Sequence, residues 1–247
     1  MTLEWADGLL AAVFFVIAAL YSSVGHAGAS GYIAAMALFG LPAAIVKPTA
    51  LALNLVVAGF AALRYWRAGQ INLRLAAAFL VTAAPAAFIG GAVPVPPDLY
   101  RPLVGIVLWA GAARLFWQPE RLAEREPHPP SLAIALPAGA GLGLLAGLTG
   151  TGGGIFLSPL IILLGWEDAR RTSGVAAAFI FVNSLAGLAG NLASVRSLPG
   201  ELPILIGAVA AGALAGTWLG VGRLPKPRLL QGLGLVLLIA GAKLIFE

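Results

Sequence analysis

Apolar runs of seventeen residues and more recur along the whole 247-residue chain, and no other feature limits its fold so severely. The runs cover residues 8–24, 47–63, 73–93, 101–117, 132–148, 172–192, 202–221 and 229–246. As helix, the shortest of these reaches about 25 Å at ~1.5 Å per residue, close to the thickness of bilayer hydrocarbon. Charged residues make up 10% of the chain against roughly 25% in soluble domains, too few to cover a water-facing surface. The runs do not alternate polar with apolar, which excludes a transmembrane barrel. The expected class is an all-α polytopic membrane protein that has the lipid bilayer as its partner. The first run follows Glu4 and Asp7 with no basic residue before it, so it reads as a spanning helix and not as a cleaved signal.

Two stretches interrupt this pattern. Gly147–Pro159 reads GLTGTGGGIFLSP, and residues 25–31 read GHAGASG. Glycine in a helix costs about 1 kcal/mol relative to alanine, so neither stretch continues an ordinary helix. Non-helical backbone at membrane depth is tolerable only inside protein or around a water-filled cavity. Each break is followed by a short apolar piece, 32–41 and 155–164, too short to cross alone. These pieces fit half helices or re-entrant segments.

The two breaks belong to a repeat. Gly25 and Gly40 match Gly150 and Gly165 at an offset of 125; Asn54, Gly91, Pro96, Gly105 and Arg114 match Asn183, Gly220, Pro225, Gly234 and Lys243 at 129. A polar, proline-rich segment at 118–131 separates residues 1–117 from 132–247, so we expect about eight transmembrane helices in two repeated halves. Eight full crossings would make the halves parallel, whereas crossing by the short pieces would invert them. On eight crossings, Lys47, Arg101, Arg170, Arg171, Arg223, Lys226 and Arg228 fall on one face. Arg64, Arg67, Arg74, Arg114, Arg121, Arg125, Arg196 and Lys243 fall on the other, and seven against eight sets no orientation.

Composition narrows the chemistry. The net charge of +5 is scattered over loops and helix ends without interleaved aromatics, so no nucleic-acid partner is expected. There is no cysteine, and the two histidines are far apart, so neither a metal site nor a cofactor is expected. No long run carries a central carboxylate of the kind cation carriers use. An intramembrane enzyme would need a nucleophile–base pair or metal ligands at depth, and none stands out.

The breaks remain as the place for function. An interrupted helix exposes unpaired N–H groups and the positive end of its dipole. Two such ends meeting near the midplane would cradle an anion. The candidate site is therefore Gly25, His26, Gly28 and Ser30 in the first break and Gly150, Thr151, Gly152, Gly153 and Gly154 in the second. Asn54 and Asn183 join it because a buried amide in hydrocarbon needs partners. Thr49, Thr172 and Ser173 are candidates for substrate contact or for capping helix starts. Lys47 and Arg171 would draw an anion inward or, more simply, snorkel to headgroups.

The residues LAGLTGTGGGIFLSPLIILLG at 145–165 and RRTSGVAAAFIFVNSLAGL at 170–188, with the echo SSVGHAGASGYIAAMALFG at 22–40, resemble the TauE/SafE family of sulfite exporters and related permeases. The first motif departs from the second in carrying HAGAS. The resemblance implies a small inner-membrane permease of about eight helices that moves sulfite, a sulfonate or a related sulfur-containing organic anion. A proton or sodium ion would be the coupling partner. An anion channel, or a carrier for another small solute, is the alternative.

Overall fold

The computed structural model describes residues 4–23, 26–116, 127–192, 198–219 and 226–246. Gly25, a candidate site residue, and most of the polar segment 118–131 lie outside them. The described residues form ten helices and no strand: α1 Glu4–Ser23, α2 Ala29–Leu38, α3 Ala43–Arg67, α4 Leu73–Ala92, α5 Pro97–Phe116, α6 Leu132–Thr149, α7 Gly154–Leu163, α8 Ala169–Gly190, α9 Leu202–Leu219 and α10 Lys226–Phe246. Eight have 18 to 25 residues, and α2 and α7 have ten each. The helices α3, α4, α6 and α8 are long and apolar enough to cross a membrane on length and composition alone.

Several helices begin earlier than the sequence pattern predicts. α3 starts at Ala43 and runs through Pro48; α5 starts at Pro97 and runs through Pro102. In both, the carbonyl that the proline ring crowds lies in the first turn, where the disruption is least. Thr49 and Thr172 therefore sit inside helices and do not cap them. The α8 cap is Asp168, which accepts from the N–H groups of Arg170 and Arg171, and Asn72 caps α4.

Packing is dominated by pairs from different halves. The most extensive contacts join α4 to α6, α1 to α9, α5 to α10, and α8 to both α3 and α4. Exchanging each helix for its counterpart in the other half turns α4–α6 into α9–α1 and leaves α5–α10 and α3–α8 as they are. Small residues make these contacts close. Gly139, Gly143 and Gly147 lie against the backbone of Phe79, Ala83 and Ala87, so α4 and α6 run parallel. Gly212 and Gly216 lie against Phe15 and Ala19, so α1 and α9 do too. Without a hydrophobic driving force between helices in lipid, such backbone approach supplies the attraction.

Corresponding helices run in opposite directions. Along α3 and α8, Leu51 meets Gly187, Asn54 meets Ser184 and Gly59 meets Phe181. Along α5 and α10, Gly105 meets Gly241, Gly111 meets Leu237 and Phe116 meets Gly234. α2 folds back on α1: a carbon added to Gly28 would meet Ile17, and one added to Gly31 would meet Ile17 and Tyr21. The tilted Tyr32 and Phe14 rings pack with centroids 5.1 Å apart, while α7 packs along α8. α2 then ends where Lys243 donates to the carbonyls of Ala37 and Leu38. α7 ends where the Gly165 carbonyl accepts from His128 N–H, beside the start of α6. Each ten-residue piece covers about 15 Å, half of the hydrocarbon thickness. α2 and α7 thus run from the middle of the protein to opposite faces.

This arrangement redistributes the charges. One face holds the start of α3 and α5 and the ends of α4, α8 and α10; among the described residues its cations are Arg101 and Lys243. The opposite face holds Arg64, Arg67, Arg74, Arg114, Arg170 and Arg171, six against two. Lys47 belongs to neither, since it is buried.

Replacing Gly143 by valine would drive a side chain into the Ala83 backbone of α4. Overpacking of this kind costs about 1–3 kcal/mol. Gly143→Val should therefore lower the unfolding temperature of the detergent-solubilised protein. Gly207→Val, where nothing lies within 4 Å of the added carbon, should leave it unchanged.

Candidate functional site

The second break is held open by glycine. Gly150, Gly152 and Gly153 have φ of 84°, 73° and 77°, a region that L side chains avoid. Gly150 ends α6 and Gly153 precedes α7. Within the described chain, the N–H groups of Gly152, Gly153, Gly154 and Ile155 donate to no acceptor, and all four residues are buried. The break is braced from the side: the Thr149 and Thr151 hydroxyls pair at 2.9 Å, and Tyr100 donates to the Thr149 carbonyl at 3.1 Å.

Gly152 faces the crossing of α3 and α8. A methyl group added to it would come within 2.8 Å of Asn54 Nδ2, 2.8 Å of Ile180 and 3.1 Å of Ser184 Oγ. Asn54 donates to Ser184 Oγ at 3.4 Å, and both residues are fully buried. Asn54 Oδ1, Asn183 Oδ1 and Nδ2, and Thr49 Oγ1 have no hydrogen-bond partner in the protein. Each buried polar group left in this state costs about 1–3 kcal/mol. Asn54, set beside the free N–H groups at Gly152, marks a place suited to a polar ligand.

Lys47 lies on α3 seven residues before Asn54, on the same side of the helix after two turns. Its stem passes Gly150, whose added carbon would lie 3.5 Å from Lys47 Cγ. The ammonium donates to the carbonyls of Gly90 and Gly91, each at 3.0 Å, at the C-terminal end of α4. It is 7% exposed and does not snorkel to a headgroup. Arg171 behaves differently: it is exposed and lies 3.8 Å from Asp168 at the opposite face.

The first break is similar but separate. Gly28 has φ of 92° and precedes α2. The N–H groups of Gly28, Ala29, Ser30 and Gly31 have no acceptor in the described chain. Ser30 Oγ pairs with Tyr21 Oη at 2.6 Å, and Tyr32 Oη has no partner. His26 is half-buried and donates its backbone N–H to the Tyr21 carbonyl.

Of the residues expected from sequence, the structure gathers Gly150, Thr151, Gly152, Gly153, Gly154, Asn54 and Thr49 around the second break and the α3 helix beside it. Asn183 is buried next to Ser184 on α8. Gly28, Ser30 and His26 form the start of α2. Thr172 and Ser173 lie in the first turn of α8, about 16 Å of helix from Asn183, and the Thr172 hydroxyl reaches the Glu167 carbonyl instead. Sequence reasoning did not single out Ser184, Tyr32 or Tyr100. Ser184 was visible only as the neighbour of Asn183, and Tyr32 only as the residue one helical turn beyond Gly28.

Half helices that end on glycine breaks within a polytopic bundle define a membrane transporter. The chain belongs to the sulfite exporter TauE/SafE family, whose pattern it matches over residues 10–244. It is 41% identical over 240 residues to the probable membrane transporter protein y4hK of Sinorhizobium fredii (strain NBRC 101917 / NGR234), covering 96% of this chain and 97% of that protein. No solved structure matches it significantly.

Gly40 has φ of 74° with nothing within 4 Å, so Gly40→Ala pays only the backbone cost of about 1 kcal/mol. Gly152→Ala carries the same backbone cost and also strikes Asn54 and Ser184. Both variants should insert in the membrane, and transport by Gly152→Ala should fall at least about tenfold while Gly40→Ala stays near wild type. Flux in proteoliposomes at matched protein density checks this.

Proposed function

We propose that the protein is a secondary carrier for a small anion, with sulfite, a sulfonate or a related sulfur-containing organic anion as its cargo. The observation that carries this reading is the run of buried N–H groups at Gly152–Ile155 that donate to no acceptor within the described chain, with the Asn54 Nδ2 donor beside Gly152. Donors of this kind bind an anion without needing a cation for every charge. The family resemblance supports sulfur oxyanions. The drive is an ion gradient, with a proton or sodium ion coupled, or the membrane potential, which contributes ~2.3 kcal/mol per charge at 100 mV.

In this reading the moving parts are two bundles that each draw helices from both sequence halves. One apolar cluster joins α4, α6, α7 and α8; another joins α1, α2, α3 and α9 with α5 and α10 and takes in Ile180 of α8. The α3–α8 crossing, with Asn54 and Ser184, lies on their boundary. Rocking of these two bundles would expose the site to one face and then the other. The two repeats, residues 1–117 and 132–247, supply the inverted symmetry that makes the two states alike.

The site lies in the cell inner membrane with the arginine-rich face toward the cytoplasm, since cytoplasmic loops carry the excess of Lys and Arg. The absence of cysteine gives a clean test. A membrane-impermeant maleimide added to spheroplasts should label Asp98→Cys and spare Arg67→Cys; the reverse pattern would overturn the orientation.

Proteoliposomes loaded with sulfite, methanesulfonate, thiosulfate or sulfate separate the functional readings. A carrier exchanges labelled anion against unlabelled anion across the membrane. Conductance without such counterflow would identify a channel, and no flux of any of these anions would overturn the proposed cargo.

A further inference from the structure

Lys47 is a buried cation without a carboxylate. The ion pair of Arg171 with Asp168 lies at the arginine-rich face and does not reach Lys47. The partners of Lys47 are the Gly90 and Gly91 carbonyls at the end of α4. A helix C-terminus carries roughly half a negative charge, so these carbonyls offset part of the ammonium and leave the rest uncompensated. A charge in hydrocarbon is expensive unless it has a counter-charge, and such residues mark substrate or ion pathways.

Its place ties it to the anion cradle. The stem lies on Gly150, two residues before Gly152, and the same side of α3 carries Asn54 onto Gly152 itself. In the register that aligns Asn54 with Asn183, the residue corresponding to Lys47 is Ala176, buried and apolar. The repeat thus supplies one buried cation, a turn inside the start of α3, where strict symmetry would have supplied two.

We propose that Lys47 sets the charge of the cargo: the site takes singly charged oxyanions, such as an organic sulfonate, in preference to doubly charged ones such as sulfate. A single anionic charge completes the neutralisation that the α4 carbonyls begin. A second would be buried against neutral donors alone. This inference rests on the anion-carrier reading and names the charge class of its cargo.

The test measures binding of methanesulfonate and sulfate to the purified, detergent-solubilised protein, with flux in proteoliposomes and the unfolding temperature beside it. The wild-type protein should bind methanesulfonate at least about tenfold tighter than sulfate, and Lys47→Arg should keep that preference. Lys47→Gln should lose about tenfold or more in methanesulfonate affinity, the scale of one hydrogen bond to a charged group. Equal or tighter binding of sulfate by the wild type overturns the inference, and so does wild-type protein that binds neither anion. A Lys47→Gln variant that melts lower but binds methanesulfonate unchanged overturns it too, because Lys47 would then only cap α4. The wild-type ratio and Lys47→Arg decide the matter even if Lys47→Gln does not fold. Lys47-dependent binding without flux leaves the charge assignment standing and removes the carrier reading alone.

Discussion

Backbone amides have no water to bond with inside hydrocarbon, and the whole architecture answers to that constraint. Helices satisfy it along most of the chain. At Gly150–Gly154 the helix stops, the chain turns through three residues of positive φ, and α7 restarts with its first N–H groups bare. Such a turn survives only when enclosed, and α3, α6 and α8 enclose it. The residues that do the enclosing are also the ones that present Asn54, Ser184 and Lys47 to it. Structural necessity and the candidate site arise from the same interruption.

The enclosure depends on how closely helices approach. Gly139, Gly143 and Gly147 bring α6 onto the backbone of α4, and Gly91 and Gly187 bring α4 onto α8. This gathers the ends of α4 and α6 and the start of α3 at one level. The C-terminal carbonyls of α4 can then hold an ammonium that would otherwise have to reach water. Glycines that look like mere spacers in the sequence therefore govern where the buried Lys47 ammonium resides. The same close approach makes the bundles cross the boundary between the sequence halves, which ties each half to the other.

Much of this was legible in the residues. Long apolar runs gave the class, glycine clusters located both breaks, and the matched offsets pointed to the short pieces and the two asparagines. Glycine at positive φ has few substitutes, so it leaves a plain trace. Lys47 left no such trace. A lysine just before an apolar run reads as a snorkelling headgroup ligand, and only the helix starting at Ala43 places it a full turn inside. Thr172 and Ser173 read as cap or site residues because the start of α8 looked later than Ala169, where the Asp168 cap sets it. Ser184 is a common small residue in a helix, and its role comes from what crosses opposite it.

The sequence by itself determined that this chain lives in a membrane, that its helices break twice, and that each break carries glycine and is followed by an asparagine in the next long apolar run. These follow from composition and local conformation, which depend on neighbouring residues alone. Only the tertiary structure decided that counterpart helices run in opposite directions, that the cations gather on one face, and that the second break lies against Asn54 and Lys47 of the other half. Those are facts about which surfaces meet across more than a hundred residues of chain, and the packing of small residues between helices fixes them where local sequence does not.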